Sequence, residues 1–160
     1  FMSKIYNMVF ISPFGPIGVN SNNEVITELR FVQKIKQIKP TNSFFKEVYR
    51  QLELYFNRKL KKFDIPYILS GTVYQQSILK EVVKIKYGCT KTYSELAFKK
   101  KTHPRPVGNA CRNNPIQLLI PCHRVVAINN IGGFSGEGLK KNGNMIFVKK
   151  NLLNIEKIKI

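Results

Sequence analysis

With 160 residues and 43% hydrophobic content, the chain can form one compact unit or two small ones with cores of their own. Lys and Arg total 27 against 9 acids, a formal net charge of +18. Such an excess attracts polyanions by steering and counterion release, so nucleic acid is the leading partner, with a membrane surface or a merely lysine-rich composition as the other readings. No apolar run approaches the ~18 to 20 residues of a membrane span, and no basic segment leads into a long apolar stretch as in a secretory signal, so a cytoplasmic protein is expected.

Along the chain, Met8 to Ile11, Ile17 to Val19 and Val25 to Val32 read as strands, parted by Pro13, Gly15 and Pro16 and by the turn-prone Asn20-Ser21-Asn22-Asn23. Asn42-Ser43 opens a helix through Phe56, with Phe45, Val48, Leu52 and Phe56 at helical spacing. Ile65 to Gly71 is a connector. The rest is mostly helical. Thr72 caps a helix through Ile85, with Gly88 just beyond its end. Thr92 and Glu95 form a capping box for a short helix, Tyr93 to Lys99. A second short helix, with Pro106 in its first turn, ends near Asn113 before Pro115. Two short helices about a basic turn suggest helix-turn-helix, a pattern common in itself. Lys99, Lys100 and Lys101 face either phosphates or solvent. Ile116 to Ile120 is an apolar run closed by Pro121. Gly132, Gly133, Gly136 and Gly138 make a loop carrying Phe134 and Ser135, and a last helix runs from about Asn144 to Glu156.

The three cysteines, Cys89, Cys111 and Cys122, are odd in number and lack Cys-x-x-Cys spacing, which fits neither a disulfide framework nor a zinc site. At least one thiol is free, and its neighbours decide its reactivity. Cys122 is followed by His123, and an imidazole is the usual means of deprotonating a thiol whose ordinary pKa is ~8.5. Adjacency alone is weak, because neighbours on a strand point to opposite sides. A second feature strengthens it. At 100° per residue, Ile146, Val148, Leu152, Leu153 and Ile155 cover an arc of the last helix centred near Glu156. A carboxylate there is costly unless paired. Either the helix frays and Glu156 reaches water, or Glu156 accepts a hydrogen bond from His123 and completes a Cys-His-Glu relay.

These residues belong to a wider pattern. Pro121-Cys122-His123-Arg124-Val125, Tyr93, Arg105-Pro106-Val107-Gly108-Asn109-Ala110, Arg112-Asn113-Asn114-Pro115, Gly133-Phe134-Ser135-Gly136 and Leu152-Leu153-x-x-Glu156 occur in order, and together they resemble the O6-alkylguanine-DNA alkyltransferases over roughly Tyr74 to Glu156. The resemblance implies an α+β protein. Residues 1–71 would be a strand-rich structural domain with a ribonuclease H-like fold and a connector. Residues 72–160 would be a mostly helical domain with a winged helix-turn-helix-like DNA-binding motif.

The resemblance further implies direct reversal of DNA damage: irreversible, single-turnover transfer of an alkyl group from O6-alkylguanine, with O4-alkylthymine as a further candidate, after base flipping. Cys122 would be the alkyl acceptor, His123 a base acting through water, Glu156 its orienter, and Asn114 the shaper of the active-site turn. Tyr93 would help rotate the nucleotide and donate a proton to the leaving guanine. Arg105 would fill the hole in the base stack. Pro106, Gly108, Asn109, Ala110 and Arg112 would lie on a recognition helix in the minor groove of double-stranded DNA, with Gly108 and Ala110 small enough for close approach. Phe134 and Ser135 would line the base pocket. No cofactor or metal is implied, and a monomer is expected. Asn109 and Cys111 depart from the family, which often has glycine and a larger apolar residue there. The competing readings are a non-catalytic alkyltransferase-like damage-binding protein, which lacks the acceptor cysteine; a papain-like hydrolase, which needs a distant histidine; and a helix-turn-helix regulator without chemistry.

Overall fold

The computed structural model describes residues 5–134 and 144–158. It divides the chain into two compact units, 1–69 and 70–160.

In the first unit, β1 (Met8–Ser12), β2 (Gly15–Ser21) and β3 (Ile26–Phe31) form an antiparallel sheet in the order β1-β2-β3. Pro13 and Gly15 turn the first hairpin. Gly15 takes a φ of +126°, open to glycine, while the Ser12 hydroxyl bonds the Gly15 carbonyl at 2.6 Å. Helix α1 (Ser43–Phe56) packs on β1 through Phe45, Val48, Leu52 and Tyr55, all buried. Its start is set by Asn42, whose side-chain oxygen accepts from the Phe45 amide at 2.8 Å.

In the second unit, α2 (Val73–Val83), α3 (Tyr93–Lys99) and α4 (Pro104–Arg112) pack together, with α4 against both others. Thr72 caps α2, and Thr92 with Glu95 forms the full capping box of α3. Two boundaries differ from expectation. Helix α2 stops at Val83 rather than Ile85, because its last turn tightens into Lys84 N–H to Glu81 O and Ile85 N–H to Val82 O bonds. Helix α4 begins at Pro104, two residues earlier than expected, and Pro106 stays in its first turn. Two elements were not expected: strands β4 (Lys91–Thr92) and β5 (Val125–Val126) pair in parallel, joining the start of α3 to the segment after Cys122. Helix α5 (Asn144–Ile155) closes the unit with Val148, Leu152, Leu153 and Ile155 buried. Among the described residues no helix is long and apolar enough to cross a membrane.

Gly18, mid-strand in β2, has no room for a side chain: an added Cβ would lie 2.5 Å from the ring of buried Tyr6. Gly18→Ala is predicted to destabilise the protein by ~1–3 kcal/mol through overpacking, lowering the urea midpoint. An unchanged midpoint would contradict this packing.

Candidate active site

Cys122–Arg124 forms a single 3-10 turn, and it buries Cys122, His123 and Arg124 together. The turn is held from the end of α4. Asn114, 1% exposed, donates its side-chain amide to Ile120 O at 2.9 Å and to the Cys122 sulfur at 3.2 Å, and accepts from the Ile116 amide at 2.9 Å. The turn-shaping asparagine thus also touches the thiol.

The other anchor is Glu156, 3% exposed just past α5. His123 Nε2 meets Glu156 Oε2 at 2.7 Å. Arg124 grips both carboxylate oxygens, Nε to Oε1 at 2.8 Å and Nη2 to Oε2 at 3.2 Å, while its Nη1 bonds Ile85 O at 2.7 Å. The Gly88 amide adds a bond to Oε1 at 3.3 Å. Burial pushes the Glu156 carboxyl upward, but His123 and Arg124 overcome this and hold it at about 2. Burial outweighs Glu156 at His123 and lowers its pKa, so the ring is neutral near pH 7. The permanent guanidinium of Arg124 therefore keeps the carboxylate ionised. An ionised carboxylate accepts, so Nε2 carries the ring proton and Nδ1 keeps its lone pair. Nδ1 is buried without a partner among the described residues.

Two more groups surround the sulfur. Burial and the neighbouring Cys111 thiol push Cys122 well above its ordinary range, while Asn114 and Lys149 pull it down. The resting group is a protonated thiol. Lys149, wholly buried, donates to Val125 O at 2.6 Å and Gly133 O at 2.9 Å, and burial lowers it to about 8. Its ammonium lies 5.7 Å from the centre of the Tyr93 ring. Tyr93, at the start of α3, reaches Gly133 O at 3.5 Å, and burial raises its pKa, so it holds its proton. Gly132, with φ +74°, lets that ring come close; a Cβ there would stand 3.0 Å from it.

The remaining expected residues divide. Arg105, Asn109 and Arg112 are exposed along α4, and a Cβ on Gly108 would meet nothing within 4 Å, so this stripe faces outward. Pro106 is half-buried beside it. Ala110, expected at the groove with Gly108, instead faces inward and is 4% exposed, because it falls on the Val107–Cys111 side of the helix. Of the lysine run, Lys99 pairs with Glu81 at 2.9 Å. Phe134 is buried, whereas Ser135, Gly136 and Gly138 lie outside the described residues. Among the described residues no group of three or more His, Cys, Asp or Glu side chains could hold a metal ion.

Arg124 and Lys149 escaped the residue-level reading. Lys149 had a usable signal. It precedes Glu156 by seven residues, about 20° from two full turns, and so shares the buried face that singled out Glu156.

Fold and site together define a two-part protein, strand-rich and then mostly helical, whose helical unit holds a buried thiol beside a His–Glu pair. Comparison with known proteins narrows this. Residues 73–158 match the model of the 6-O-methylguanine DNA methyltransferase DNA-binding domain, and residues 5–68 match that family's ribonuclease-like domain. The chain is 38% identical over 151 residues to the methylated-DNA–protein-cysteine methyltransferase of Metallosphaera sedula, covering 94% of this chain and 96% of the relative. A Methanosarcina acetivorans protein of the same name is 38% identical over 148 residues, covering 86% and 94%. The crystal structure of Mycobacterium tuberculosis O6-methylguanine methyltransferase superposes with a TM-score of 0.81 at 31% identity, over 97% of this chain and 94% of that one. The same organism's OGT in complex with DNA gives 0.78 at 33% identity, over 93% and 91%. The chain belongs to the 6-O-methylguanine DNA methyltransferase family.

Because Glu156 is depressed from 4.5 to about 2 in the folded state, its contribution is complete above about pH 4.5 and is lost as pH falls toward 2, on the order of 3 kcal/mol. The stability difference between the parent and Glu156→Gln should therefore shrink across that window in urea titrations. Parallel pH–stability curves would contradict the ionised, Arg124-bound carboxylate.

Proposed function

We propose that this protein repairs alkylated DNA by direct reversal, moving the alkyl group of O6-alkylguanine onto the Cys122 sulfur. One observation carries the reading: a buried thiol held by Asn114 in the same turn as a neutral His123, whose Nε2 is fixed by an ionised Glu156. The names of the relatives supply the substrate class, methylated DNA, and one solved relative is titled as a DNA complex.

The exposed stripe Arg105, Gly108, Asn109 and Arg112 lies against double-stranded DNA in the minor groove. That groove offers a degenerate code, so recognition depends on the lesion rather than on sequence. The alkyl carbon is out of reach in the stacked duplex, so the base is flipped. The cost is a few kcal/mol, less for a weakened pair. Arg105 fills the vacated stack, Tyr93 helps rotate the nucleotide, and Phe134 lines the base pocket.

The proton inventory then decides the chemistry. The resting thiol is protonated, and the free lone pair of His123 Nδ1 takes its proton through a bridging water. Sulfur attacks the alkyl carbon, the S–C bond forms, the C–O6 bond breaks, and the electron pair leaves with guanine. Tyr93, which keeps its proton at neutral pH, donates it toward guanine N3, and the charge of Lys149 supports the transient thiolate. The product is a thioether. A thioether reacts poorly with water and no group among the described residues is suited to cleave it, so each molecule acts once. Residues 72–160 carry this chemistry, and residues 1–71 serve as a structural domain. The protein acts as a cytoplasmic monomer, and O4-alkylthymine is a second candidate substrate.

DNA carrying a radiolabelled O6-methyl group tests the reading. The parent protein should take up label, while Cys122→Ser should take up none and keep its DNA affinity. Label retained in Cys122→Ser would overturn the assignment. Glu156→Gln should transfer more slowly at neutral pH with near-normal DNA affinity, and an unchanged rate would remove Glu156 from the relay.

A further inference from the structure

Two side chains on the first turn of α2 hold the two flanks of α4. In the turn before α4 the Tyr74 and Thr102 hydroxyls share a hydrogen bond of 3.0 Å, and just past its end Gln75 Nε2 donates to Asn113 O at 3.0 Å. The second bond reaches further than a helix cap. The Asn113 carbonyl and the Asn114 N–H belong to one planar peptide group, and that N–H donates to Cys111 O at 3.2 Å. Both sides of the peptide are therefore fixed. The next side chain along is that of Asn114, which donates to Ile120 O at 2.9 Å and to the Cys122 sulfur at 3.2 Å. Gln75 is itself held in place. Its backbone amide donates to the Thr72 hydroxyl at 3.0 Å. Its amide oxygen lies against Gly71, where φ is +105° and an added Cβ would overlap that oxygen.

We propose that Gln75 is a positioning residue for the sulfur of Cys122: through the Asn113–Asn114 peptide it aims the Asn114 side-chain amide at that sulfur. Hydrogen bonds weaken steeply as donor and acceptor lose alignment. A peptide freed on its carbonyl side rotates about the Asn114 Cα and swings the amide off the sulfur. The loss falls mainly on the ionised form, because a thiolate gains more from a donor than a thiol does. Gln75 therefore acts at the moment the sulfur becomes nucleophilic, while touching neither the sulfur nor the base. Gly71 belongs to the same device, since only a residue without a Cβ leaves room for the Gln75 amide. The other groups that bear on the sulfur are Cys111 on α4, Lys149 on α5, Tyr93 on α3 and His123 in the same turn. Substitution at Gln75 or Gly71 alters none of them chemically.

The consequence for repair rests on Cys122 being the acceptor, whereas the aim of Asn114 does not, so the two are read separately. In the first assay the full-length protein is alkylated with iodoacetamide across a pH series, and the rate at the Cys122 peptide is followed by mass spectrometry. In the second, single-turnover methyl transfer is measured at neutral pH with saturating duplex carrying O6-methylguanine. Gln75→Met keeps the length of the side chain and removes the donor. Gly71→Ala keeps Gln75 and displaces its amide, which provides a second variant should the first fail to fold. In both, the rise of Cys122 alkylation should move to higher pH, and transfer at saturating DNA should slow roughly five-fold, the worth of one such hydrogen bond. Gln76→Met, the same change one residue along, should behave as the parent. A site merely loosened would admit water and move the alkylation curve to lower pH, because burial is what raises the thiol. A curve at or below the parent's pH, or transfer at saturating DNA equal to the parent's, in every folded variant at Gln75 and Gly71 would overturn the proposal. A parent that takes no methyl group from DNA, while the variants still shift the alkylation curve upward, would overturn the acceptor reading and leave the positioning role standing.

Discussion

The catalytic unit is organised around one buried carboxylate. Glu156 has almost no exposed surface, and a bare carboxylate there would be strongly disfavoured. It is tolerated because donors converge on it from segments facing the end of α5, among them His123 and Arg124 from the 3-10 turn and Gly88 from beyond α2. Arg124 extends the network to Ile85 O, and the hydroxyl of Tyr87 returns to Ile155 O at 3.2 Å. The same carboxylate thus closes α5 onto the turn that carries the thiol and fixes which nitrogen of His123 is free. On the proposed relay, stability and reactivity would depend on the same contacts.

The electrostatics around Cys122 are balanced rather than uniformly activating. Burial and Cys111 favour the thiol, while Asn114 and Lys149 favour the thiolate. Under the proposed single-use transfer, a protonated resting sulfur would spare the acceptor from other electrophiles. On the same proposal, the neutral imidazole would supply the base only within the site. Lys149 links this chemistry to the surrounding backbone, since its two carbonyl partners belong to β5 and to the glycine segment against which Tyr93 packs.

Much of this was legible in the sequence because it rests on local rules. Asn42, Thr72 and Thr92 announce their helices by side-chain capping, and each makes the expected bond. Glu156 was legible because helical periodicity places it among apolar residues, which left burial or fraying as alternatives; the buried ion-pair network resolves this in favour of burial. The two-residue strands β4 and β5 were not legible, since pairing across more than thirty intervening residues leaves no local pattern. The 3-10 turn at Cys122 was equally hidden, being set by Asn114 and Glu156 from outside the segment. The fork of Arg124 on Glu156 depends on that turn. The inward face of Ala110 follows from where α4 packs on α2 and α3, which composition does not specify.

The central claim is that Cys122 itself receives the alkyl group, once. Peptide mass spectrometry after exposure to excess duplex DNA carrying O6-methylguanine tests it most directly. The account predicts a single added methyl group on the Cys122 peptide and transfer that stops at one equivalent per protein. A methyl group on any other residue, or turnover beyond one equivalent, would contradict it.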